Sequence, residues 1–201
     1  MEEIRGNSGV VRFSGVVKIW PGSVGAMRPD HCPKGGCPAF AKDGSINLHG
    51  HGIVIRHQRG PPHPDAPADD VKWVIRRYRC KCCESVCRVL PSSATARKHF
   101  SAAAIAMALA LWGLMRRNAE QVRRVVNERA TDGEPGWASI GRWAKEISAG
   151  TLLPELGLRG AAGRALEVAA KAASALCGWA PVSARETPLD HQAFAGACHV
   201  R

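Results

Sequence analysis

The first 91 residues carry short runs in which apolar and polar positions alternate, a pattern typical of half-buried β-strands. It is most regular around Val71, Trp73 and Ile75, which share one side of a strand pattern. The pattern predicts four strands, over residues 9–19, 46–58, 71–79 and 85–90. Residues 59–70 hold four prolines and predict a loop, because proline fits neither a helix interior nor a central strand.

From residue 101 onwards the apolar positions recur at helical spacing. The pattern predicts helices over residues 101–115, 119–130, 137–148 and 161–176. Ser101 and Asn118 are suitable N-caps, and Gln121 completes a capping box with Asn118. Residues 102–115 are apolar but fewer than the roughly 18–20 that a membrane span needs, so they predict a buried helix. Residues 181–201 show no period, and we expect a mobile tail there.

Eight cysteines are present, and two pairs of them lie in short turns. The acidic start of the chain has no secretory leader, so we expect a reducing compartment, where clustered cysteines indicate metal rather than disulfides. Two such turns can supply the four soft ligands of a tetrahedral zinc site. The predicted ligands are Cys32, Cys37, Cys80 and Cys83. Four thiolates leave no position for water, so the predicted Zn²⁺ is structural.

Other residues near these turns leave the ligand set open. Cys82 and Cys87 are spare thiols beside the second turn, and the first pair is separated by four residues where two are usual. Four histidines are further candidates: His31, His49, His51 and His57. Each of the four is more typical of a surface or strand position, because no ligand spacing is evident among them.

Positive charge is concentrated in the middle of the chain. The formal net charge is +11, and residues 71–145 hold 15 Lys and Arg against 5 Asp and Glu, a net of +10. Residues 1–70 have a net charge of +1 and residues 146–201 of zero. A localised basic block is the electrostatic signature of a protein that binds a polyanion, and it favours nucleic acid as the partner.

The predicted helix 137–148 has two distinct sides. One side is apolar: Trp137, Ile140, Trp143, Ala144 and Ile147. The other side is polar: Ser139, Arg142, Lys145 and Glu146. Because a basic helix and a glycine-containing turn precede it, the layout predicts a helix-turn-helix unit with this polar side as the reading face.

This interpretation assigns separate roles to the basic residues. Arg142 is predicted to pair with a guanine edge, and Ser139 to contact a base or a phosphate, with Lys145 on the same face. Backbone phosphates are predicted to be held by four arginines: Arg116, Arg117, Arg123 and Arg124.

Several segments resemble an uncharacterised bacterial family that is similar to the N-terminal zinc-ribbon and helix-turn-helix region of insertion-sequence transposases. They are Met27-Arg28-Pro29-Asp30-His31-Cys32-Pro33, His49-Gly50-His51-Gly52, Arg76-Arg77-Tyr78-Arg79-Cys80-Lys81-Cys82-Cys83, Val89-Leu90-Pro91, His99-Phe100-Ser101 and Gly136-Trp137-Ala138-Ser139-Ile140-Gly141-Arg142-Trp143. The resemblance covers about residues 27–148 and implies DNA binding tied to mobile elements. It implies metal binding by Cys32, Cys37, Cys80 and Cys83, and it does not extend to the acidic nuclease domain of such transposases.

The sequence therefore predicts an α+β chain with three parts: a β-rich zinc ribbon over residues 1–91, a helical domain with a helix-turn-helix over 92–180, and a tail over 181–201. The predicted function is DNA binding by a cytoplasmic, transposase-related accessory factor, remnant or regulator that is not an enzyme. No membrane or small-molecule partner is expected. Two alternatives remain, a zinc-ribbon adaptor that binds proteins and a thiol redox sensor.

Overall fold

The computed structural model describes residues 8–13, 28–29, 31–39, 47–91, 95, 98–127 and 137–199 of the 201-residue chain. Its fold is mixed α+β, with β-strands in the first half and helices in the second. The chain divides into two units. The cysteine unit comprises Met1–His57 and Lys72–Ala96, and the helical unit comprises Gln58–Val71 and Arg97–Arg201. The domain boundary predicted at residue 91 lies close to the observed division at Ala96. However, residues 58–71, at the tip of the hairpin between the second and third strands, belong to the helical unit.

Four strands form one sheet in the order β1-β4-β3-β2. They are β1 (Ser8–Phe13), β2 (Leu48–Gly60), β3 (Asp69–Cys80) and β4 (Val86–Pro91). β1 pairs in parallel with β4, and β3 pairs antiparallel with β4. All four predicted strands are present, although residues 14–19 of the first lie outside the described part. β2 and β3 extend further into the hairpin than predicted, and the loop between them is only residues 61–68.

The register of β3 and β4 determines which side chains reach the core of the cysteine unit. Tyr78 pairs with Cys87, and both are almost fully buried. Among the described residues, the buried core here has eight members: Cys32, Cys37, Ala39, Leu48, Tyr78, Cys80, Cys87 and Val89. Four of the eight are cysteines, so sulfur-bearing side chains make up half of this described core.

Helix α1 (Ala102–Gly113) is the centre of the helical unit, and it contacts each of the helices α2 to α5. Every residue from Ala103 to Leu111 is buried. A helix that is apolar all round must be enclosed by protein, as α1 is. The predicted cap is confirmed, because Ser101 Oγ accepts a hydrogen bond from the Ala104 amide at 3.0 Å.

The remaining helices are α2 (Ala119–Val126), α3 (Ala138–Ser148), α4 (Ala165–Gly178) and α5 (Leu189–His199). The capping box of α2 is confirmed, with reciprocal Asn118 and Gln121 hydrogen bonds of 2.8 and 3.0 Å. The apolar side of α3 is also confirmed, because Ile140, Trp143, Ala144 and Ile147 are all buried. Trp143 packs edge-to-face against Trp137 and Phe100, with ring centroids 4.9 and 5.2 Å apart. Within the part of the chain that the structure describes, no helix combines the length and the apolar character needed to cross a membrane.

The expectation of a mobile tail over 181–201 is wrong for its described part. α5 packs against both α1 and α4, and it buries Ala193, Phe194 and Ala197. The apolar signal of α5 is weak because its buried residues are mostly small. They allow two backbones to approach closely: a Cβ at Gly196 would overlap the carbonyl oxygen of Leu176 in α4.

We expect Gly196→Ala to lower the free energy of unfolding by about 1–3 kcal/mol, because the added methyl group must push α5 away from α4. Helix propensity alone would give the opposite sign, since Ala is favoured over Gly by about 1 kcal/mol in a helix interior. Gly141→Ala in α3 is the matched control, because nothing lies within 4 Å of a Cβ at that position. Urea unfolding followed by far-UV circular dichroism measures both; stabilisation by both substitutions would contradict the close approach.

Candidate metal centre

The first cysteine turn connects Cys32 to Cys37. The Cys37 amide donates to the carbonyl oxygen of Lys34 at 3.2 Å, and Gly36 has a φ of +76°, which favours glycine there. Ala39, just after the turn, connects its two ends: its carbonyl oxygen accepts a hydrogen bond from the Cys32 amide at 2.9 Å. The Ala39 amide lies 3.4 Å from Cys37 Sγ and donates to it. Backbone hydrogen bonds therefore hold the Cys37 thiol directly and fix the backbone of Cys32 against Ala39.

The second cysteine turn begins where β3 ends. Cys80 is the last residue of β3, and Cys83 lies in the turn that follows it. The Cys80 amide donates to the carbonyl oxygen of Ser85 at 2.9 Å, so the chain reverses directly into β4. Glu84 takes the left-handed conformation in this reversal, with a φ of 58°. The sheet thus fixes the position of this turn.

The two turns bring four sulfur atoms together. The Sγ atoms of Cys32, Cys37, Cys80 and Cys83 all lie within 4.8 Å of one another. Cys32 Sγ is 3.6 Å from Cys83 Sγ, and Cys37 Sγ is 3.7 Å from Cys80 Sγ. These distances are too long for disulfides, whose S–S bond is about 2.05 Å. They match the edge of a tetrahedron around zinc, which is about 3.8 Å for Zn–S bonds of about 2.3 Å.

The surroundings of the four sulfurs are uneven. Burial raises the pKa of Cys32 and of Cys37 above the usual thiol value. Burial also raises the pKa of Cys83, but hydrogen bonds from the Ser85 hydroxyl and backbone amide, together with those from Cys37 and Cys32, bring the pKa of Cys83 to about 6. A buried thiolate beside other sulfurs is costly unless a cation compensates its charge. The donor set is therefore one that can hold a metal ion, and four sulfurs in a tetrahedron favour zinc or iron over harder metals.

The spare thiols and the histidines lie outside this group. Cys82 is exposed on the outer side of the second turn. Cys87 is buried in the sheet, where burial raises the pKa of its thiol to about 11. In the part of the chain that the structure describes, His31, His49, His51 and His57 are likewise not members of any metal-ligating group. The geometry therefore selects the four cysteines that the spacing predicted.

Comparison of the chain with protein-family models, with curated proteins and with solved structures found no match.

The polar side of α3 has the exposure predicted for it. Arg142 and Lys145 are exposed, and Ser139 is half-buried. The Arg142 guanidinium donates from Nη2 to Ser139 Oγ at 3.2 Å, which aligns the two side chains along the same side of the helix. Arg142 and Lys145 are therefore accessible to a ligand from solvent.

The four arginines predicted to contact phosphate differ from one another. Arg116 and Arg117 are exposed in the segment between α1 and α2. Arg124 is exposed and forms an ion pair of 2.6 Å with Glu120. Arg123 is only 5% exposed, so it lacks the access that a phosphate contact needs. Arg123 follows Val122 on α2, a helix that packs against α1, and both residues are buried.

Sequence reasoning missed the residues that donate hydrogen bonds to the cysteine sulfurs. Ser85 donates to Cys83, and Ala39 donates to Cys37. Each lies two residues after its cysteine, and that spacing is the only signal in the sequence that indicates the contact.

Proposed function

We propose that this chain is a DNA-binding protein whose fold depends on a structural zinc ion. The zinc is held by Cys32, Cys37, Cys80 and Cys83, and the DNA is contacted by the exposed basic side of α3. The observation that carries the proposal is the opposition of two sides on α3: Trp143 is buried, whereas Arg142 and Lys145 are exposed. An amphipathic helix with a free basic side can enter the major groove.

A structural role for the metal follows from the donor set and from the size of the core. Four sulfurs complete a tetrahedron, so no position is left for a substrate or a catalytic water. In the described part of the cysteine unit the buried core has eight residues, a small core for which a metal ion would add substantial stability. We therefore propose a zinc-ribbon type of unit with no catalytic step.

The helix-turn-helix is the finer part of the proposal. α2 and α3 are consecutive, and each packs against α1. Among the described residues, α2 and α3 are not one of the helix pairs in extensive contact, so the proposal depends on the exposed side of α3 rather than on a tight pair. Arg116, Arg117 and Arg124 are the proposed phosphate contacts beside it. The resemblance to transposase DNA-binding regions supports the same assignment and suggests an accessory factor, remnant or regulator.

A mobility-shift assay with zinc-loaded protein tests this function. We expect binding to a mixed-sequence duplex to weaken steeply with salt, because each neutralised phosphate releases counterions. Arg142→Ala should cost about 1–3 kcal/mol on a selected site and relax its sequence preference. Lys171→Ala on α4 is the control, because it removes one exposed charge from another helix. If folded, zinc-loaded protein does not bind any duplex at low salt, the proposal is wrong.

One observation favours a second function, that of a protein-binding adaptor. β2 is an edge of the sheet, and Ile53 and Ile55 on it are 54% and 62% exposed. An edge strand with exposed apolar side chains is a template for pairing with another chain. An adaptor would retain its protein partner in the presence of excess DNA competitor, whereas the DNA-binding function predicts displacement of any partner on the basic surface.

A further inference from the structure

The sheet of the cysteine unit has two faces of different character. Tyr78 on β3 pairs with Cys87 on β4, and both are buried in the core beside the cysteine cluster. Because side chains alternate along a strand, Arg77 and Arg88 lie on the opposite face. The register places these two residues directly opposite each other, and Arg88 is exposed. We call them the sheet arginine pair.

This pair is unfavourable for the fold on its own. Like charges directly opposite each other on neighbouring strands destabilise a sheet. Nearby, Arg79 is neutralised by an ion pair of 2.9 Å with Glu84. Within the part of the chain that the structure describes, neither Arg77 nor Arg88 has such a carboxylate partner, and Arg77 Nε is buried without a hydrogen-bond acceptor. The face therefore holds two arginines side by side without a carboxylate partner, of which Arg88 is exposed and Arg77 is half-buried.

The Arg77 guanidinium lies beside a glycine of the neighbouring strand. Gly52 on β2 has a φ of +82°, a conformation that L side chains rarely adopt. A Cβ at this position would lie 3.4 Å from Arg77 Nη2, so Gly52 is the residue beneath the guanidinium. A larger side chain on β2 would cover it. Glycine at this point leaves Arg77 Nη2 without a covering side chain from position 52.

We propose that the sheet arginine pair binds phosphate groups of a nucleic-acid backbone, as a second contact site in addition to α3. This inference depends on the proposed DNA-binding function. Guanidinium groups bind phosphate oxygens through paired, charge-assisted hydrogen bonds, and an anion between Arg77 and Arg88 removes their mutual repulsion. The contact reads no base edge, so it adds affinity that is independent of sequence.

The test measures the salt dependence of full-length, zinc-loaded protein on a mixed-sequence duplex of about 30 base pairs, a length that exceeds one helical turn severalfold. Arg77→Gln and Arg88→Gln should each lower the slope of log K against log salt by about 1, and each should weaken binding about eightfold at 0.1 M salt. Lys171→Gln on α4 removes the same charge elsewhere and should leave the slope within error. Arg88→Lys keeps the charge and should retain the slope.

Thermal stability separates a binding role from a structural one. Arg88→Gln relieves the cross-strand repulsion, so its melting temperature should equal or exceed that of the parent chain while its affinity falls. A lower melting temperature with loss of zinc would assign the pair a structural role and overturn the inference. If the parent chain and Arg142→Ala behave as proposed but both sheet variants keep the full slope, the sheet site alone is wrong. If the parent chain binds no duplex, the DNA-binding function fails first.

Discussion

Loss of any one of the four clustered cysteines, or removal of the metal by a chelator, is expected to unfold the cysteine unit and leave the helical unit folded. Structural zinc contributes on the order of 10 kcal/mol to small domains of this kind. The described core of the cysteine unit has only eight buried residues, and three of them are proposed ligands. The helical unit has its own large apolar core around α1. The two units should therefore respond differently to the same chelator.

Cys83→Ser is the sharpest form of this experiment, and Cys82→Ser is its matched control. The two residues are neighbours in the second turn, but only Cys83 Sγ belongs to the sulfur cluster, and Cys82 is exposed. Elemental analysis should find one metal ion per parent chain and per Cys82→Ser chain, and much less in Cys83→Ser. Two-dimensional amide spectra should show loss of dispersion confined to the cysteine unit. Retention of metal by Cys83→Ser would contradict the assigned ligand set.

The same preparations distinguish the redox alternative. A redox sensor would contain no metal when freshly purified, and all eight cysteines would titrate with a thiol reagent after denaturation without release of zinc. In the zinc-bound protein, the four cluster cysteines should react slowly until a chelator is added. Cys82 and Cys198 should react first, because they are the two exposed cysteines.

The sequence was sufficient to predict the four sulfurs because the evidence for them is local. Each pair lies in one short turn, and the thiols within a turn are near each other in any fold. Which of Cys82, Cys83 and Cys87 provides the fourth sulfur depends also on strand pairing between distant parts of the chain. The register of β3 and β4 places Cys87 opposite Tyr78 in the sheet, where it is not one of the four clustered sulfurs, and no spacing rule contains that pairing.

The starts of α1 and α2 were also predictable, whereas the start of α4, expected at residue 161 and found at Ala165, and the packing of weakly patterned segments were not. The caps at Ser101 and Asn118 follow from residues within one turn of the chain. α5 was missed because three of its buried residues are small, Ala193, Gly196 and Ala197, which give little periodic signal, and because its contact with α4 depends on Gly196. Arg123 was expected at the surface for a related reason: the enclosure of one side of α2 is decided by α1, which precedes it in the chain.

The division into two units also depends on tertiary contacts that the local sequence pattern does not predict. The proline-rich segment predicted only a loop, yet residues 58–71 belong to the helical unit. The contact depends on glycine, because a Cβ at Gly60 would overlap the Ala104 side chain on α1. A close approach of this kind is a property of two distant segments, so neither segment reveals it alone.

Leu109→Ala should destabilise the helical unit by about 2–5 kcal/mol. Leu109 lies in α1 and is fully buried, so the substitution leaves a cavity that four surrounding helices cannot fill. Urea unfolding of the zinc-loaded protein, followed by the helical circular dichroism signal, measures the change.

Leu189→Ala removes the same atoms from a residue that is 42% exposed at the start of α5. Because no enclosed cavity forms there, we expect the cost to be below about 1 kcal/mol, in the range of surface substitutions. The difference between the two variants measures enclosure rather than side-chain chemistry. If both substitutions lowered the free energy of unfolding by similar amounts, α1 would not be the enclosed centre of the helical unit.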